Sequence, residues 1–500
     1  MHDTTRLALV GTANLANDAA GLAALEPQLL DYSRERRLLL QAGSLAVYRQ
    51  AGGLATPLAA GGLAPADTLP EAPASANSPL ADIIAGTHTA LAPWAAARLL
   101  QAGYRLPARL LPLALATAER RQLWFGVAGQ RGQWLASQHP DWSAPDATPR
   151  ALDDTQLETL WQEGRPAERR QALALLRQRN ADQARQWLQA ALPQEKAEQR
   201  CHFLEVLKDG LSAADEPLLQ SLLDDRSQNV RQLVVDLLVQ IPGSALSGLW
   251  QQRASQCLQW PVSSAGRQVA ANPPTELLKE WEREGILATP PHGTGPRAWW
   301  LQQIVALVAP ACWSQQTGAS AGELLALLPQ SDWADSLYLG LADAACRFAD
   351  SEWAAALVAA HHAGRGVLYP RSSALWAVLS ASQSGTAVLA ALQAGLWQEA
   401  ERGLASLTAS WSDVLCAALT QLPTGSELRP DQRHDLQSLL ELAVLRGPDH
   451  WLEPFTLAVR SHIQAPGLQN DWNLHYANRR AETTLALAAA RQTLIKEIPL

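Results

Sequence analysis

One stretch constrains the fold of this chain more than any other. Val230, Leu233, Val234, Leu237, Leu238 and Ile241 step at i, i+3, i+4, i+7, i+8 and i+11, which places a single apolar stripe along an amphipathic helix. Arg231, Gln232 and Asp236 fall largely off that stripe, Ser227 stands at the capping position, and Pro242-Gly243 stops the helix. Just before it, Asp215 to Leu223 reads as a shorter helix with Pro217 and two acids in its first turn, where unpaired N–H groups and the helix dipole favour them. The turn Asp224-Asp225-Arg226-Ser227 joins the two as a hairpin.

Upstream, Glu168 to Arg179, Ala181 to Leu192 and Glu195 to Gly210 carry similar stripes: Leu173 and Leu176, then Trp187, Leu188 and Ala191, then Phe203, Leu204 and Leu207. Helices this short cannot bury an apolar face alone, whereas stacked hairpins can. Strand signals are nearly absent, so the pattern predicts an all-α chain, a HEAT-like α-solenoid of stacked helical hairpins. On that reading Asp225 and Arg231 form part of a side-chain ladder between neighbouring repeats.

Breaks in the pattern divide the chain. Residues 1–150 read as an N-terminal helical region with an Ala/Gly/Pro-rich excursion at 52–79, and 151–258 as HEAT-like repeats. Residues 259–297 form an irregular linker marked by Pro261, Pro273-Pro274, Pro290-Pro291 and Gly293-Thr294-Gly295-Pro296, with room for a small hairpin and a short helix around Leu277 to Glu284. Helical repeats resume over 298–500, beginning with the stripe Trp300, Ile304, Leu307 and Val308. Ser331-Asp332-Trp333-Ala334 is echoed by Ser351-Glu352-Trp353-Ala354, which predicts a local repeat in which both segments start helices.

Charge and residue usage exclude several function classes. Forty Lys and Arg face 48 Asp and Glu, a net charge of −8, which argues against a nucleic-acid binder because phosphates demand a basic surface. Five cysteines with no CxxC pair offer neither a disulfide framework nor a zinc knuckle. Residues Met1 to Gly11 are too weakly apolar for a secretory signal, and no run of about 18 apolar residues follows, so a cytoplasmic protein that does not enter a membrane is expected. None of the four lysines follows a glycine, which excludes a standard P-loop.

Other motifs dissolve in their context. Gly318-Ala319-Ser320-Ala321-Gly322 matches a nucleophile elbow by letter, yet no strand precedes it, and Ser320 with Glu323 reads as a capping box. Gly293 to Ala298 resembles a dinucleotide fingerprint in which prolines replace the strand and an N–H donor. His361-His362 reads as a helix-end pair, and the acids at Asp153-Asp154, Asp215-Glu216 and Asp224-Asp225 as helix starts. Arg169 and Arg170, like Arg34, Arg36 and Arg37, have acids beside them and read as ion-paired faces. Nineteen Trp among 29 aromatics read as core anchors, with an exposed Trp on a concave surface a candidate hot spot.

The segment Gly129-Gln130-Arg131-Gly132-Gln133-Trp134-Leu135-Ala136-Ser137-Gln138-His139-Pro140-Asp141-Trp142 resembles the signature G-x-R-G-x-W-L-A-x-x-N-P-x-W of a bacterial family. Genes of that family accompany MoxR-type AAA+ ATPases, von Willebrand factor A (CoxE-like) proteins and SWIM zinc-finger proteins. Leu211 to Leu219, Leu223 to Arg231, and Trp281 to Leu301 are similar to its later blocks, with His139 where Asn is usual and Glu284 where Asp is usual. The resemblance implies a scaffold or adaptor whose partners are a MoxR-type AAA+ ATPase and a von Willebrand factor A protein, and the failure of every catalytic pattern leads to the expectation that it is non-enzymatic, without cofactor or metal. Trp134, His139 and Trp142 are the candidate partner-binding residues. Two alternatives stay open: an enzyme whose site gathers distant residues such as His361, His362 and the Asp224-Asp225 turn, and a solenoid that cradles nucleic acid in a basic groove.

Overall fold

The helices are written into local sequence by their ends. Asn180 closes one helix with its amide and opens the next with its side chain, which accepts the Gln183 N–H, so a single residue sets a sharp corner. Asp153 with Gln156, Ser320 with Glu323 and Ser380 with Gln383 form reciprocal capping boxes. Gly318 ends its helix at φ 66°, a left-handed conformation that glycine adopts without penalty. The computed structural model describes residues 64–138, 152–264, 266–366, 371–407, 411–423, 430–463 and 472–500, with Trp142 and a few single positions before residue 44. Met1 to Gly11, Arg34, Arg37, residues 52–63 of the Pro-rich excursion and His139 lie outside the described residues.

The N-terminal unit holds α1 (Asn77–Ala85), α2 (Ala92–Gln101), α3 (Leu111–Leu115), α4 (Ala118–Trp124) and α5 (Gly129–Gln138). Next come α6 (Asp154–Glu163), α7 (Pro166–Arg179), α8 (Ala181–Ala191), α9 (Ala197–Leu204), α10 (Glu216–Gln220), α11 (Gln228–Gln240) and α12 (Ala245–Cys257). The linker opens with a nested antiparallel hairpin, in which β1 (Leu258–Gln259) pairs with β4 (Ala270–Ala271) and β2 (Val262–Ser263) pairs with β3 (Gly266–Arg267). After the short α13 (Lys279–Arg283) follow α14 (Pro296–Ala306), α15 (Ala311–Thr317), α16 (Ala321–Leu327), α17 (Ala334–Arg347), α18 (Ser351–His362) and α19 (Ser372–Val378). The chain finishes with α20 (Ala381–Gln393), α21 (Trp397–Ser406), α22 (Asp413–Thr420), α23 (Pro430–Arg446), α24 (Leu452–Ile463) and α25 (Trp472–Glu497). With only four two-residue strands among the described residues, the protein is all-α.

Helices pack mainly on the elements one and two places along. From α16 to α24 the even-numbered helices touch in succession, and from α17 to α25 the odd-numbered ones do the same, with cross-contacts between the rows. In the first half, α7, α9 and α11 form one such row. Large side chains anchor the core: Trp124, Trp250, Trp313, Trp353 and Trp376 are fully buried. Gly340 lets α17 lie close against α14, since a Cβ there would sit 2.7 Å from the Gln302 carbonyl oxygen. Among the described residues no single helix is long and apolar enough to cross a membrane, and the α11–α12 pair that passes by length and composition is bent by 86°.

The N-terminal unit rests on the far end of the chain, with α1 packing on α25. Arg98, 5% exposed, donates through Nε to the Ile498 carbonyl at 2.7 Å and through Nη2 to the Ile495 carbonyl at 3.2 Å. Its Nη1 pairs with Asp449, whose other oxygen takes Arg491 Nη2 at 2.7 Å. Both guanidiniums lie against the Trp94 ring, at 5.4 Å and 4.9 Å from its centroid.

The echoed Trp segments stand out of phase. Trp333 is the residue before α17, whereas Trp353 lies inside α18, whose cap is Asp350. The two share letters without sharing a structural position, because each helix starts where its own cap allows.

Candidate functional site

The turn that opens α11 is held differently from a simple Asp225–Arg231 ladder. The Asp225 carboxylate takes Arg200 Nη2 at 2.8 Å and the Ser227 N–H at 2.8 Å, and Arg231 Nη1 bonds the Asp225 carbonyl instead. Arg200 comes from α9 and is 4% exposed, so the cross-hairpin cation lies 25 residues before the acid. Ser227 occupies the cap position but its side chain makes no capping bond; Asp225 organises the turn from two residues earlier. Asp224 pairs with Arg283 at the surface.

A second acid, Asp215, is the most fully enclosed charge in this region. It is 0% exposed, accepts both Arg177 nitrogens at 2.8 and 2.7 Å, takes Arg185 Nη1 at 3.0 Å, and receives the Ser212 N–H at 2.9 Å. Burial pushes its pKa up, but the Arg177 and Ser212 hydrogen bonds and Arg185 outweigh this and hold it below the ordinary carboxylate value. Its sequence position as a first-turn acid conceals this role, although Ser212 three residues earlier supplies a capping-box signal. On the next face, Arg169 stacks on Trp161 and Phe203 at 4.8 and 5.0 Å while pairing with Glu195 at 2.7 Å, and Arg170 pairs with Glu205 at 3.4 Å.

The candidate partner-binding residues occupy the end of the N-terminal unit. Trp134 is half-buried on α5, where Ser137 Oγ donates to its carbonyl at 2.7 Å. Trp142 is likewise half-buried, and His139 lies outside the described residues.

The histidine pair ends α18, as its spacing predicts, yet its partner is a third residue that sequence reading missed. His361 Nε2 lies 3.7 Å from Glu399 Oε1 and its Nδ1 lies 3.2 Å from the Gly366 carbonyl. Glu399 also accepts Trp376 Nε1 at 3.1 Å and pairs with Arg402. Burial alone would raise the Glu399 pKa, but His361, Trp376 and Arg402 draw it down to about 2. His361 is raised by Glu399, while burial lowers His362, whose Nε2 is enclosed with no hydrogen-bond partner among the described residues. The acids and histidines of the alternative enzyme site are thus engaged separately: Asp224 with Arg283, Asp225 with Arg200, and His361 with Glu399. Among the described residues no three His, Cys, Asp or Glu side chains gather in a metal-holding arrangement. Ser320 caps α16 through Glu323, and Gly295 precedes Pro296 at the start of α14.

The fold and its sites define an all-α protein built on second-neighbour helix packing, with most of its enclosed charges spent on ties between elements. The chain belongs to a family of unknown function, DUF5691, whose model matches residues 3–498. No curated protein and no solved structure matches it.

Proposed function

We propose that this chain is a non-enzymatic scaffold: a HEAT-like α-solenoid that holds protein partners. The observation that carries the reading is the pair of helix rows running from α16 to α25, each helix seated on its second neighbour. Packing of that kind grows along one direction and presents long continuous faces, which suits gripping another protein. The burial of Arg177, Asp215, Arg200 and Arg491 in cross-element hydrogen bonds supports the same reading, because these charges fix one helix against the next.

On the family resemblance, the partners are a MoxR-type AAA+ ATPase and a von Willebrand factor A protein in the cytoplasm, and no nucleic acid or membrane is involved. The test is affinity purification of tagged full-length protein from its native cells, with gene neighbourhood as an independent check. Recovery of at least one of the two partners is expected. Recovery of neither, with unrelated neighbouring genes, overturns the adaptor role. Small-angle scattering tests the solenoid separately: because the N-terminal unit rests on α25, a curved array whose two ends meet is expected, and a solid compact globule would count against it.

A further inference from the structure

Helices α7, α9 and α11 touch in succession, whereas α8 and α10 are not in close contact and a trough lies between them. It has two adjoining lobes of about 600 and 450 Å³ that share Gln189, Leu218 and Ser221. Volumes of this size match ordinary ligand clefts, about 300–1,000 Å³. One wall is a single face of α8, on which Gln186 and Gln189 are exposed and their side-chain amides make no hydrogen bond among the described residues. Leu192, Leu218 and Leu222 supply apolar surface.

Charge favours an anionic occupant. Arg185, Arg200 and Arg226 line the trough with Asp182 and Asp225, and Asp215 lies behind Arg185, so the cation left uncompensated there is Arg226. Arg185 and Arg200 are tied to aspartates, but exposed Arg226 has no ion pair or hydrogen bond among the described residues. The lining contains no aromatic ring on which a base could stack.

We propose that this trough binds an extended acidic peptide segment of a partner protein, its carboxylate on Arg226 and its backbone on the Gln186 and Gln189 amides. Side-chain amides carry both a donor and an acceptor and so match the alternating groups of an extended backbone. The face from Asp182 to Gln189 spans about 10 Å, the length of about three extended residues. The proposal rests on the scaffold reading and names where one partner segment sits.

The test is selection from a random peptide display library on the full-length protein, then on the Arg226→Glu variant. Peptides pairing Asp or Glu with apolar residues are expected from the wild type. They should weaken at least tenfold against Arg226→Glu and several-fold against Gln186→Ala/Gln189→Ala, and selection on Arg226→Glu should turn towards Lys and Arg. All three substituted residues are exposed, and unchanged circular dichroism establishes that the fold is kept. Failure to enrich any peptide, or enriched peptides indifferent to both variants, overturns the proposal. Partner co-purification undiminished by Arg226→Glu would also overturn it while leaving the scaffold intact. If the wild-type protein captures neither partner, the scaffold reading fails and the peptide selection still decides the trough.

Discussion

Replacing Asp215 by Ala removes the one enclosed carboxylate that Arg177 and Arg185 reach among the described residues. Arg177, itself 5% exposed, keeps the Asp209 and Gly210 carbonyls at 3.0 and 2.8 Å, but its Nη1 proton loses its acceptor and its charge is left buried. Breaking a buried ion pair from one side costs about 3–5 kcal/mol, and the two surviving carbonyl bonds place this case near about 3 kcal/mol. Asp215→Asn keeps shape and one acceptor, so about 2 kcal/mol is expected. Urea unfolding followed by Trp fluorescence, with hydrogen exchange of the α7–α10 amides, reads the effect without requiring the whole chain to unfold in one step. The pH dependence has a fixed sign. The folded-state pKa lies below the ordinary 3.8, so the stabilisation is present above that value and is lost as pH falls through the folded one. The gap between wild type and Asp215→Asn should therefore close in acid. A cost below about 1 kcal/mol, or near-zero coupling with Arg177→Met in a double-mutant cycle, refutes the reasoning.

Gly340→Ala should destabilise the α14–α17 contact by about 1–3 kcal/mol, because the added methyl meets backbone that cannot swing away; thermal unfolding checks it, and an unchanged midpoint would show that the helices separate freely. Glu399 contributes stability above its ordinary 4.5 that is lost as pH falls towards about 2, and His361 contributes stability at and below 6.5 that is lost as pH rises through its raised value. Glu399→Gln should flatten both limbs of a stability–pH curve, and a curve that keeps its shape would remove the pair from the account. A protease site placed within residues 143–150 should yield two fragments that co-elute, while Asp449→Ala, which strips Arg98 and Arg491 of their shared acid, should let them part; wild-type fragments that separate would refute the clamp.

How much was legible depended on the range of the interaction. The stripe from Val230 to Ile241 is visible because a 3.6-residue period is a local property: Val230, Val234, Leu237 and Leu238 are 0% exposed, while Leu233 at its edge is half-buried. Val235 and Val239 fall off that stripe yet are 1% and 2% exposed, because neighbours cover a second side, with Gly285 set closely against Val235. The Asp225 turn was readable as a tie point, but its cation was not: Arg231 lies in the same local pattern, whereas Arg200 arrives by packing of α9 on α11. Glu399 lay beyond reach for the same reason, 38 residues after His361 with no periodic signal linking them. The trough is less visible still, since it arises where two helices fail to meet.

The contact between the two ends of the chain bears on how such a stack is finished. A row of helices packed on second neighbours leaves its last member with one face uncovered, and terminal units of such arrays need a cap. Here Leu494 and Ile498, at the end of α25, are 0% and 1% exposed, and α1 of the N-terminal unit packs on α25 beside α23 and α24. The carbonyls of a helix's last turn lack intrahelical donors and carry the negative end of its dipole. Arg98 answers both needs, donating to the Ile495 and Ile498 carbonyls from a position about 400 residues earlier. Residues of the N-terminal unit therefore satisfy the carbonyls at the end of α25. A truncation that removes α1 and α2 should loosen α25 before it disturbs α6, and hydrogen exchange of the two helices reads the order; equal protection changes in both would refute it.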